Sequence, residues 1–81
     1  MAKIKVIHRK LGKHMAYGLA HQETNTVEID STLPPKKKLE IMIHEPLHII
    51  CPEMSEEQVT KIGKQLGKFL WENNYREVKQ K

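Results

Sequence analysis

The order of polar and apolar residues along the chain defines its elements. Lys3-Ile4-Lys5-Val6-Ile7 alternates polar and apolar side chains with β-branched members, the two-residue period of a strand. The stretch from His8 to Met15 is polar and basic and reads as a loop or strand extension. Tyr17-Gly18-Leu19-Ala20-His21 and Thr26-Val27-Glu28-Ile29-Asp30 read as two more strands. Gln22 to Asn25 form the turn of a β-hairpin, with Asn25 the best candidate for a left-handed residue. After Pro34-Pro35, the period changes from two to three and four. Leu39, Met42, Ile43, Pro46, Leu47 and Ile50 form the stripe of an amphipathic helix over about 35–51, which Pro52 ends. Ser55 and Gln58 make a capping box for a second helix over about 56–74. Its stripe is Val59, Ile62, Leu66, Phe69 and Leu70. Gly63 and Gly67 interrupt the helix and mark a close approach of its neighbour. The expected fold is α+β: an N-terminal strand plus a hairpin in a three-stranded sheet, packed on two helices.

Length restricts what such a fold can do alone. Eighty-one residues allow one domain, 1–81, with a small core and a thin stability margin. Domains of this size commonly need a disulfide, a metal or a partner chain as a staple. The single cysteine, Cys51, excludes an intrachain disulfide and points to a reducing compartment and a buried thiol. Metal or oligomerisation remains, so a homo-oligomer or protein partner is one expectation. No signal peptide or membrane span is visible, and the expected location is the cytoplasm. The net charge of +4 comes mostly from Lys3–Lys13, Lys36-Lys37-Lys38 and Lys79–Lys81. Aromatics are not interleaved with these lysines, so solvated surface is favoured over a nucleic-acid interface.

The chemistry concentrates at His44-Glu45-Pro46-Leu47-His48, an H-E-x-x-H pattern. Histidines four apart lie one turn apart on the same helix flank, within reach of one zinc ion. Glu45 is placed to act as general base toward water activated by the metal. A catalytic zinc takes three protein ligands. Glu56 ranks first as the third ligand, because it falls on the side of the second helix that faces the first and acids suit helix N-termini. Glu53 and Cys51 rank behind it. Tyr17, Tyr75 and His21 are candidate oxyanion donors, whereas His8 and His14 read as surface residues. Trp71 reads as core or a partner contact.

Pro46 stands inside the motif. It removes the bond to the Met42 carbonyl, costs about 3 kcal/mol in an ordinary helix and pushes Glu45 away from helical dihedrals. Zinc binding, worth about 10–16 kcal/mol in small metal-folded peptides, is large enough to offset that cost. The proline then has two readings: a kink that helps to aim Glu45, or a site that binds metal but has lost catalytic geometry.

Val27–Asp30, Leu39–His48, Ser55-Glu56-Glu57 and Trp71–Tyr75 together resemble the short zincin-type peptidases of phages and bacteria. They are similar to a stripped core of the SprT-like and ImmA-like metallopeptidases. The resemblance covers about Tyr17 to Tyr75 and is sharp only at the H-E-x-x-H motif. It implies zinc on His44, His48 and Glu56, Glu45 as base, and a protein or peptide substrate held extended along one arm of the hairpin. The expected activity is therefore zinc-dependent peptide-bond hydrolysis. The alternatives are a non-catalytic zinc-stabilised interaction domain and a small basic nucleic-acid-binding protein.

Overall fold

A computed structural model of the chain describes residues 3–12 and 17–78. His14, the Lys13–Met15 part of the basic loop and the Lys79–Lys81 tail lie outside them. The elements run β1 (Lys5–Arg9), β2 (Gly18–His21), a 3-10 turn (Gln22–Thr24), β3 (Thr26–Asp30), α1 (Pro35–Ile50) and α2 (Glu56–Glu72). The fold is the expected α+β arrangement of a three-stranded sheet and two helices. Asn25 closes the hairpin turn at φ 50°, ψ 46°, the left-handed conformation expected of it. Both halves of the Ser55–Gln58 capping box form.

The sheet order is β1-β3-β2, with β1 parallel to β3 and β2 antiparallel to it. The central strand is buried along most of its length: Val27 and Ile29 are fully inaccessible, and Glu28 and Asp30 nearly so. Val27 and Ile29 face α1 and form the core with Ile41, flanked by Ile4, Ala20, Leu33, Met42 and Ile49. The first strand starts two residues later than its alternation predicts and is exposed throughout. It serves the interior mainly through its flanks, half-buried Ile4 and buried Leu11.

The buried faces of both helices coincide only in part with their apolar stripes. In α1 the buried residues are Ile41 and Glu45, neither of them in the stripe, and Ile50 at its end is exposed. The helix touches the sheet on one side and α2 on the other. Its innermost line therefore runs through Ile41 and Glu45, and the apolar stripe is only half covered.

In α2 the buried line is Val59, Gly63 and Gly67, while Leu66 and Phe69 are exposed. The glycines set this contact. A Cβ on Gly67 would stand 3.2 Å from the Glu40 Cα, and one on Gly63 would stand 3.4 Å from the Glu40 carbonyl and 3.5 Å from the His44 Cβ. Backbone-to-backbone approach brings the start of α2 against the His44 flank of α1.

Pro46 does not break α1, which continues as α-helix to Ile50 and keeps Glu45 helical, contrary to the sequence expectation. Contacts on both sides of the helix hold it through the lost hydrogen bond. Among the described residues, no helix is long and apolar enough to cross a membrane.

Candidate metal centre

His44 and His48 lie one turn apart on α1, and Glu56 is the first residue of α2. The close helix contact brings the three together. His44 Nε2 is 2.9 Å from one Glu56 carboxylate oxygen, His48 Nε2 is 2.8 Å from the other, and the two Nε2 atoms are 3.2 Å apart. Among the described residues, these three side chains form the group of donor atoms able to share one ion. Neither Glu53 nor Cys51 joins it. Cys51 is half-buried at the end of α1, where its N–H donates to the Leu47 carbonyl.

The donor set suits zinc. Zinc–nitrogen bonds of ~2.0–2.1 Å at tetrahedral angles place neighbouring ligand atoms ~3.3 Å apart. The 3.2 Å between the two imidazole nitrogens lies just below that edge, and each nitrogen has its own Glu56 oxygen at 2.8–2.9 Å. Two imidazoles and one carboxylate also match the ligand set of a catalytic zinc, leaving a fourth position open.

Glu45 stands beside this group. Its carboxylate is 3.9 Å from His44 Nε2, and the residue is only 7% exposed. Burial pushes its carboxyl above the ordinary value, against the pull of His44 and His48 and with a further push from the Glu56 charge. Strand β2 passes over it at Gly18. A Cβ there would meet the Glu45 Cγ and the Ile41 Cγ2 at 2.8 Å, and the Glu28 carbonyl at 3.0 Å. Gly18→Ala is expected to destabilise the fold by about 1–3 kcal/mol through overpacking. The effect should appear as a lower urea midpoint, and an unchanged midpoint would contradict this packing.

The cleft beside the centre has a volume of about 1050 Å³ and is lined by β2, the turn after it, Glu28, His44, Glu45, His48 and Glu56. That is at the upper end of the roughly 300–1,000 Å³ typical of small-molecule sites. Strand β2 lies at the sheet edge. The Asp30 N–H donates to the Tyr17 carbonyl at 2.9 Å, which fixes the alternation of the antiparallel ladder. Tyr17, Leu19 and His21 therefore bond inward to β3, while Gly18 and Ala20 turn their N–H and C=O groups to the free edge.

Of the three candidate oxyanion donors, His21 alone lines the cleft. Its Nε2 is 2.6 Å from Glu28, on the strand face opposite Gly18. Tyr17 and Tyr75 are exposed and outside the cleft, with Lys37 held 5.0 Å from the Tyr17 ring. Trp71 is half-buried under the chain's own Arg76, whose guanidinium sits 3.8 Å from the ring. His8 is exposed, as expected of a surface residue.

Three residues near the centre were not singled out from the sequence. Glu28 is held by Arg9 and His21, and these hydrogen bonds, Arg9 first, keep its carboxyl below the ordinary range despite burial. Gly18 had a readable signal, since a glycine inside a strand often marks close backbone approach. Gln22 is bonded to the His48 carbonyl. Comparison with family models, curated proteins and solved structures finds no match for the chain.

Proposed function

We propose that the protein is a zinc-dependent metallopeptidase, with His44, His48 and Glu56 holding the metal and Glu45 as general base. The observation that carries this reading is the convergence of His44, His48 and Glu56 on a helix pair, one donor atom of each within 4.8 Å of the others, with the buried Glu45 carboxylate 3.9 Å from His44 Nε2. Bound zinc would supply Lewis acidity, making water nucleophilic near neutral pH and polarising a carbonyl.

The chain's own residues account for the remainder. The Glu45 carboxylate accepts the proton of the water that attacks the scissile carbonyl carbon. As the C–N bond breaks, it returns that proton to the departing amine. Gly18 leaves the room through which Glu45 passes beneath β2. The free edge of β2 offers the Gly18 and Ala20 peptide groups to an extended substrate, which would add as a further strand beside the metal. The proposed substrate is accordingly a protein or peptide segment in extended form.

The test is to incubate zinc-loaded protein with unstructured peptides of varied sequence and to read new termini by mass spectrometry. Cleavage that stops on chelation and resumes with added zinc is the expected result. Absence of cleavage by fully zinc-loaded protein across the set would overturn the peptidase reading.

A further inference from the structure

In an α-helix the carbonyl of each residue accepts the N–H four positions on. At the end of α1 the Leu47 carbonyl has this partner, the Cys51 N–H at 2.8 Å. The next carbonyl belongs to His48, and its partner would be residue 52. That residue is Pro52, which has no N–H. The vacancy is filled from elsewhere in the fold: Gln22 Nε2 donates to the His48 carbonyl at 2.7 Å, across 26 residues of sequence. Gln22 opens the 3-10 turn that follows β2. The bond therefore joins the end of the edge strand to the backbone of a residue whose ring belongs to the metal-binding group.

We propose that Gln22 is a positioning residue for the metal centre, supplying the donor that Pro52 removes and so fixing His48 and the gap between β2 and α1. The inference rests on the metal-centre reading above. His48 lies in the last turn of α1, where unpaired carbonyls otherwise turn to water and the helix frays. A ligand there keeps its aim only if its backbone is held. Proline at 52 and a side-chain amide at 22 are complementary halves of one device: the first stops the helix, and the second ties its end to the sheet. An amide is suited to this because it donates to a carbonyl, whereas an ionised carboxylate can only accept.

A double-mutant cycle on the full chain tests this with Gln22→Ala and Pro52→Ala. Zinc affinity is read by competition with a chromophoric chelator, and the thermal midpoint is read on metal-stripped protein. Gln22→Ala is expected to weaken zinc binding roughly tenfold, at the low end of the range for groups that orient metal ligands. Gln22→Glu, of equal size but without a donor, should weaken it similarly. With Pro52 replaced, position 52 regains an N–H, and Gln22→Ala should then change affinity by no more than about twofold. Unchanged affinity in the Gln22→Ala protein, or equal weakening in both backgrounds, would overturn the proposal. So would a lower midpoint of the stripped protein with zinc affinity intact, which would make Gln22 a structural tie alone. A wild-type chain that takes up no zinc would instead overturn the metal centre itself, and the positioning role with it.

Discussion

Replacing His48 by alanine is expected to lower the thermal midpoint of the zinc-saturated protein by roughly 16–33 °C. The estimate follows from mass action. A ligand at a thousand times its dissociation constant stabilises the native state by about 4.1 kcal/mol. In a domain of this size each kcal/mol moves the midpoint by about 4–8 °C. A bound metal would have this leverage because the domain has little else to hold it. Its fully buried large side chains are Ile29, Val27 and Val59. The candidate centre joins the flank of α1 to the first turn of α2, beside a helix contact in which Gly63 and Gly67 allow close backbone approach. Alanine is a good helix former, so the substitution itself costs α1 little. Metal-stripped wild type should therefore melt close to the His48→Ala variant, and chelator should leave that variant unchanged. Equal midpoints for wild type with and without chelator would refute a stapling role for the metal.

Glu45→Gln is expected to preserve zinc binding and the fold while lowering kcat by roughly 10²- to 10⁴-fold, the usual contribution of a positioned acid–base group. Glutamine matches the shape of the buried side chain and keeps its packing under Gly18, but it cannot take a proton from water. Because burial disfavours the charged carboxylate, the neutral amide should leave the thermal midpoint unchanged or higher. Kinetics and metal content measured on the same preparation separate the outcomes. Loss of turnover with zinc retained fits a general base, whereas loss of zinc as well would make Glu45 a structural part of the centre. Turnover equal to wild type would remove Glu45 from the mechanism.

Much of the centre was legible because its chemistry is local. The spacing of His44 and His48 is a property of one helix. Glu56 followed from adding the expected face of the next helix, and the structure places it against both histidines. The strands and helices were legible for the same reason, through their periods, caps and prolines. Properties that depend on distant neighbours were harder to read. The parallel pairing of β1 with β3 leaves no trace in either strand's own pattern. The apolar stripe of α1 misplaced its buried face because the helix is covered on two sides and buries Glu45. In α2 the glycines that interrupt the stripe did mark the close approach, and the stripe overstated only the burial of Leu66 and Phe69. The role of Gln22 depends jointly on Pro52 and on the hairpin lying beside the end of α1, and no local pattern joins positions 22 and 48.

The most direct test of the metal centre is the zinc content of the purified chain, weighed intact by native mass spectrometry. One zinc per wild-type chain, absent from His44→Ala and His48→Ala, is the expected result. A wild-type chain that stays metal-free after exposure to excess zinc, or variants that bind it as fully as wild type, would contradict the assignment.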